Sequence, residues 1–338
     1  MSGIKETTNN MIQFVFPEHT NNNGTLHGGR LMDWIMLIGS ITSSRYTKSA
    51  TLLGATDSID FINPVKVGEI VMLDCWVENV GSSSMEVVAR VHAENMETGE
   101  KKFITLSNLA FVAIDKDGKP MEIKEKIEPQ SDNEKIIIEN ARMRRERRIP
   151  EIQKRKQKIL NAVDETEITR FNLQTMRSVM PEDAFYGEYM SVGRLLKYID
   201  ESAGILAMRY AKGTLVTGSL DNLFFYSPIR VGEVVTLNAG ITYVGTTSTE
   251  VAIKVHSENL MTGELNHTCT AFLTFVHINK DGKPQIVPPF KPETPYEIRE
   301  WKEAELRKEI RRNRVRSIKK YCEDYLDDYK TTITKQLK

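Results

Sequence analysis

Apolar residues return every three or four positions over residues 28–46 and again over 192–211, the spacing of a helix that buries one face. In the second stretch Leu195, Leu196, Ile199, Ala203 and Leu206 make that face. Downstream of each helix the period shortens. Glu69–Glu78, Met85–Glu94 and Ile104–Asp115 are rich in Val and Ile, and Val88-Ala89-Arg90-Val91-His92-Ala93 partly alternates, as in a sheet with one covered face. Gly-containing turns at Val80-Gly81-Ser82, Glu97-Thr98-Gly99 and Lys116-Asp117-Gly118 separate the runs. One helix followed by antiparallel strands predicts an α+β unit with its sheet packed on the helix.

The pattern occurs twice. Shifted by 164 positions, residues 228–284 lie over 64–120 without a gap, and nearly half of the 57 aligned residues are identical. The unit is too long for a solenoid repeat. The register holds upstream, with Pro17 on Pro181 and Gly29-Arg30-Leu31 on Gly193-Arg194-Leu195. Two copies of one domain are expected, at 1–128 and 169–290, with charged helical segments at 129–168 and 291–338. The first segment reads as helices Asn133–Arg148 and Glu151–Val163 split by Pro150, because proline lacks an N–H and crowds the preceding turn. The second reads as one helix, Tyr296–Tyr329, with Arg and Glu interleaved at i,i+4.

Charge and composition narrow the partners. Lys+Arg and Asp+Glu both number 46, so no global field favours nucleic acid or an anionic membrane. Residues 142–158 carry nine basic and two acidic side chains, but no aromatic platform for bases accompanies them. We read a helix packed along the outside and expect no nucleic-acid partner. No stretch approaches the ~20 apolar residues of a membrane span, and MSGIKETTNN lacks the apolar core of a signal peptide, so the expected compartment is the cytoplasm. Cys75, Cys269 and Cys322 are scattered, and no His/Cys/carboxylate cluster has metal-ligand spacing. Neither a disulfide framework nor a metal is expected.

Candidate chemistry precedes each helix. Copy one runs Pro17-Glu18-His19-Thr20-Asn21-Asn22-Asn23-Gly24-Thr25-Leu26-His27-Gly28-Gly29-Arg30, and copy two runs Pro181-Glu182-Asp183-Ala184-Phe185-Tyr186-Gly187-Glu188-Tyr189-Met190-Ser191-Val192-Gly193-Arg194. Each is a turn into a helix N-terminus, where free backbone N–H groups and the helix dipole favour negative charge. The copies disagree where chemistry would sit. Asp200, adjoining the apolar face of its helix, answers to Met36, and Asn21 answers to Phe185. A carboxylate so placed must find partners, yet copy one does without it. Two halves building one site, Asn21 from one and Asp200 from the other, would leave Met36 and Phe185 as its chemically blank counterpart.

These loops, with Val-Gly-Arg-Leu-Leu at 192–196, Gly-Ser-Ser-Ser-Met-Glu-Val at 81–87 and Phe-Val-Ala-Ile-Asp-Lys-Asp-Gly-Lys-Pro at 111–120, resemble the acyl-CoA hydrolase branch of the hotdog superfamily. The tandem arrangement resembles the double-hotdog cytosolic long-chain acyl-CoA thioesterases, over both copies. The resemblance implies a long central helix wrapped by an antiparallel sheet, two such units joined in one continuous sheet, and thioester hydrolysis at their seam. It implies Asn21 and Asp200 as the catalytic pair. Asp200 would act as general base for water or as nucleophile, and Asn21 would orient the water or bind the thioester carbonyl. Backbone N–H groups of Gly28 and Gly29, beside His27, would form an oxyanion hole. Ser191-Val192-Gly193 replaces the His-Gly-Gly in copy two, so one working site is expected. Coenzyme A would enter as part of the substrate, not as a resident cofactor. Its candidate contacts are Ser82, Ser83 and Ser84, Thr246, Thr247 and Ser248, with Lys66, Arg30, Arg194 or Arg230 for phosphate. His92 and His256 share one position in the two copies and read as structural. The likeness also implies a homo-oligomer, a trimer of double hotdogs. Two other readings stand beside it. One is a hotdog dehydratase or hydratase, which would need His27 paired with an acid. The other is a non-catalytic acyl-CoA sensor or scaffold whose charged segments contact a partner.

Overall fold

Strand alternation decides the core. The computed structural model describes residues 3–160 and 169–336. In copy one, β1 (Asn9–Phe14) is followed by α1 (Gly28–Thr47), β2 (Ala50–Thr56), β3 (Ile59–Asp60), β4 (Glu69–Val80), β5 (Ser84–Asn95), β6 (Lys101–Ile114) and α2 (Asp132–Leu160). Copy two has β7 (Asn172–Ser178), a small hairpin β8 (Ala184–Tyr186) and β9 (Tyr189–Met190), then α3 (Val192–Ala211), β10 (Thr214–Leu220), β11 (Leu223–Phe224), β12 (Val234–Val244), β13 (Ser248–Asn259), β14 (Glu264–Ile278) and α4 (Pro295–Gln336). Along β4 the inward positions Val71, Leu73, Cys75 and Val77 are buried, and the residues between them are half-buried. They close on α1, whose Met32, Ile35, Met36 and Ile38 are buried. In α3 Leu195, Leu196 and Ile199 are buried, and the helix packs on the matching strands of copy two. The chain is thus two α+β units, each a central helix wrapped by an antiparallel sheet, as the repeat predicts.

Each sheet has six strands, in the orders β1-β4-β5-β6-β2-β11 and β3-β10-β14-β13-β12-β7. Each therefore ends on a two-residue strand from the other copy. The two exchanges are one event. Thr56 pairs with Leu223 and Ala55 with Phe224, while Ile59 pairs with Leu220 and Asp60 with Ser219. This is a single antiparallel register running through both copies, interrupted only at Asp57-Ser58 and Asp221-Asn222. There Ser58 donates from N (2.9 Å) and Oγ (2.6 Å) to Asn222 Oδ1, closing the gap with side-chain bonds. The expected continuous sheet is present, with this break at its centre.

The outer helices pack on the sheets, α2 on β4 and α4 on β12. Both begin with a reciprocal cap. Ser131 Oγ accepts from Glu134 N while Glu134 Oε2 accepts from Gln130 N (2.8 Å). Thr294 and Glu297 repeat the arrangement. The split expected at Pro150 does not occur: α2 runs through it. The missing hydrogen bond is tolerated because side chains on both flanks dock, Arg148 on Glu86 and Arg155 on Asn222 O. Residues 161–163 of the expected helix lie outside the described residues. Much of the basic run faces inward. Arg148 Nη1 and Nη2 grip Glu86 (2.7 and 3.0 Å) and Nη2 reaches Asp57 (3.0 Å), while Arg144 holds Glu78. On α4, Arg307 and Arg311 grip Glu250, Arg311 reaches Asp221, and Arg314 crosses to Asp60 of copy one.

Candidate active site

The contact between α1 and α3 is set by two glycines. A Cβ on Gly29 would lie 2.9 Å from Lys197 Cα and 3.0 Å from Asp200 Cβ, and one on Gly28 would lie 2.6 Å from the Thr217 side chain. Only glycine lets the first turn of α1 butt against α3 and β10. The result aims the N-terminus of α1 at a carboxylate of the other copy. Gly29 N–H donates to Asp200 Oδ2 (2.8 Å), and Thr217 Oγ1 donates to Asp200 Oδ1 (2.9 Å). His27 Nδ1 stands 3.4 Å from Asp200 Oδ2, and among the described residues it has no hydrogen-bond partner.

Asp200 is 1% exposed. Burial pushes its pKa above the ordinary carboxylate value, against the pull of His27, the Thr217 hydroxyl and the Gly29 N–H. A carboxyl that is fixed at both oxygens yet reluctant to ionise is equipped to take up a proton. The candidate residues are brought together in part. Asp200, Gly28, Gly29 and His27 converge. Gly29 departs from its expected oxyanion role, because its N–H is committed to the carboxylate. Arg30 and Leu31 N–H both go to His27 O, as in any first helical turn.

Asn21 sits at the tip of the loop whose base is His27. The bridge Thr20↔Leu26 and the bond from His27 N to His19 O (3.0 Å) hold that loop as a hairpin. The Asn21 side chain is engaged within it: Nδ2 donates to Thr25 Oγ1 (2.9 Å), and Oδ1 accepts from Asn23 N (3.0 Å) and Thr25 N (3.3 Å). Thr217 was not singled out from the sequence. It stands where copy one has Leu53, the same polar-for-apolar exchange that marked Asp200.

The remaining candidates lie beside the two loops, and Arg30 and Arg194 both act on Asp33. Lys66 bridges to Thr25 beside the first loop, where Arg30 also lies, 4.0 Å from Asp33. Arg230 bridges to Tyr189 in the second loop, stacks on its ring at 5.5 Å and pairs with Glu188 (3.1 Å); Arg194 opens α3 beside it. Ser82 and Ser83 give their carbonyls to Ile123 N and Ala113 N, and Thr246 and Thr247 give theirs to Val287 N and His277 N. The backbone of these turns is engaged, with Gly81 and Gly245 N–H closing them on Ser84 O and Ser248 O. His92 is buried edge-on to Phe103 with its pKa lowered to about 4, first by burial and then by Arg90, and His256 lies 3.3 Å from His267. Cys75 and Cys269 are buried, and burial pushes their thiols up, away from the thiolate form. Among the described residues no group of three or more His, Cys, Asp or Glu could hold a metal ion, and no helix is long and apolar enough to cross a membrane.

A sequence-family model described as Thioesterase superfamily matches residues 23–100 and 187–264, once in each copy. The mouse cytosolic acyl coenzyme A thioester hydrolase is 28% identical over 311 residues, covering 87% of this chain and 80% of that protein. An uncharacterized acyl-CoA thioester hydrolase of Bacillus subtilis is 37% identical over 149 residues, 44% of this chain and 86% of its own length. Among solved structures, an acyl-ACP thioesterase from Bacteroides thetaiotaomicron shares the fold at 13% identity, with TM-score 0.50, 80% of this chain and 98% of that one covered.

Proposed function

Because the chain belongs to the acyl-CoA thioester hydrolase family, we propose that it hydrolyses acyl-CoA to fatty acid and coenzyme A in one composite site where the copies meet. The observation that carries this reading is the buried Asp200 of copy two, held by a backbone N–H of copy one in a fold whose other copy has methionine there. Asp200 takes a proton from water as the water oxygen attacks the thioester carbonyl, and returns it to the departing thiolate. Gly29 N–H and Thr217 Oγ1 fix the carboxylate. Gly28 N–H, at the start of α1 and its dipole, receives the developing oxyanion. Asn21 orients the water or the carbonyl from the loop tip. Asp200 acting as nucleophile through an anhydride is the variant of the same reading.

Support for the hydratase alternative would be a histidine facing an acid, and His27 does face Asp200. Thioester hydrolysis needs only the acid of that pair and agrees with the relatives, so it is preferred. Lys66 and Arg30, with the hydroxyls of the Ser82-Ser83-Ser84 turn, are the coenzyme A contacts on the side of copy one. Arg194, Arg230 and the Thr246-Thr247-Ser248 turn are their counterparts. The cytosolic naming of the mammalian relatives supports a cytoplasmic place. An outward apolar row on β1 and just beyond it, Ile12, Phe14 and Phe16, supports self-association, proposed as a trimer. Light scattering checks that state.

The deciding experiment is Asp200→Asn. It keeps shape and partners but removes the base, so thioester hydrolysis followed by thiol release should fall about 10²–10⁴-fold with the fold intact. Unchanged rates would remove Asp200 from the reaction.

A further inference from the structure

Duplication gives the molecule a second cleft, and that cleft is not filled. Under the 164-residue shift its walls answer to those of the Asp200 site: Met36 for Asp200, Leu53 for Thr217, Ser191 for His27 and Val192 for Gly28. At its inner end Met36, Leu53, Phe111, Met190 and Phe185 enclose a small hollow. Outward lies a cavity of about 310 Å³ between β2 and β6 of copy one and the 225–229 loop of copy two.

We propose that this cleft binds an aliphatic acyl chain and holds it without cleaving it. Its size falls at the lower end for small-molecule sites, about 300–1,000 Å³. Leu52, Val112, Ile114, Leu195 and Ile229 supply aliphatic walls, and Tyr226, Ser227 and Thr268 supply the few polar groups. The base, its hydroxyl partner and the loop histidine of the Asp200 site are all replaced, so a bound ester would not meet the groups that act in that site. Two guanidiniums adjoin its lining residues: Arg230, which stacks on Tyr189 and also pairs with Glu188 (3.1 Å), and Arg155, which lies 4.7 Å from the Phe224 ring beside Tyr226. They favour a chain that ends in an anion, either the carboxylate of a fatty acid or the phosphates of a coenzyme A ester.

The inference rests on the acyl-CoA reading for the class of ligand, so hydrolysis is assayed separately from binding. Dodecanoic acid and a non-hydrolysable thioether analogue of dodecanoyl-CoA are titrated into the full chain and into Gly54→Leu. Gly54 lines the cavity, and its added Cβ would meet Val112 at 3.6 Å, an ordinary contact. The variant should lose one bound equivalent per chain, or bind it at least tenfold more weakly, while kcat/KM stays within twofold. The probe that is lost identifies the source, free acid, ester or both. Equal stoichiometry and affinity in both proteins would overturn the proposal. Should Gly54→Leu fail to fold, a diazirine-bearing dodecanoic acid is crosslinked to the unaltered chain. Label in 112–120 or 225–229 supports the second cleft, and label confined to 27–31 and 200–217 overturns it. A chain that binds in this cleft yet hydrolyses no thioester would refute the proposed activity alone.

Discussion

Met36 and Asp200 occupy the same turn of the same helix in the two copies, and both are buried. The fold therefore accepts an apolar side chain there, and the acid is kept at a cost. Because burial holds the folded pKa above the ordinary 3.8, the native state binds this proton more tightly than the unfolded chain does. Its contribution to stability is complete at pH below 3.8 and is lost as pH rises through the folded pKa. Asp200→Met should therefore raise Tm at pH 7, raise it less near pH 4, and abolish hydrolysis; a lower Tm at pH 7 would show that the bonds from Gly29 and Thr217 outweigh the burial. The asymmetry that exposed Asp200 is plain in the sequence. Thr217 carries the same mark but sits in an ordinary Val/Thr strand, where a threonine draws no notice. The Gly29 N–H is harder still. Which backbone donor meets which oxygen depends on where α1 ends against α3, and no local pattern encodes that.

The helices and long strands were legible because each buries one face at a fixed period. α3 spans 192–211 as the spacing predicts, and α1 runs one residue beyond it. The strands β3 and β11 were not legible, since two residues carry no period and their pairing is set by the other copy. The caps are legible: Ser131-Asp132-Asn133-Glu134 and Thr294-Pro295-Tyr296-Glu297 both fit S/T-x-x-E. Against the opposing push of burial, bonds from Arg170 and the N–H groups of Arg170, Glu293 and Thr294 hold Glu297 down to about 2. That depressed pKa adds stability above the ordinary 4.5, lost as pH falls through 2. Glu297→Gln should cost about 1–2 kcal/mol at pH 7 and little at pH 2, measured by denaturant unfolding. On α2, Arg148→Met strands Glu86 in a dry contact. The loss should be about 3–5 kcal/mol, and adding Glu86→Leu should restore most of it. The deficit should shrink in acid, because burial, opposed by Arg148, already holds Glu86 above its usual pKa.

At the scale of the molecule, the constant register across β2–β3 and β10–β11, with Arg314 clasping Asp60, makes the two copies one structure. Residues 1–160 carry the His27 loop, and residues 169–338 carry Asp200 and Thr217. Expressed apart, neither piece should hydrolyse acyl-CoA, and mixing them should restore turnover only as far as the seam re-forms. Hydrolysis by residues 169–338 alone would place every needed group in copy two. The fusion has a further consequence. In a dimer of identical chains, symmetry writes each substitution into both clefts at once, so neither can change without the other. A single chain that spells the two halves separately lifts that constraint, and one cleft can drift toward a new task while its twin keeps the old one.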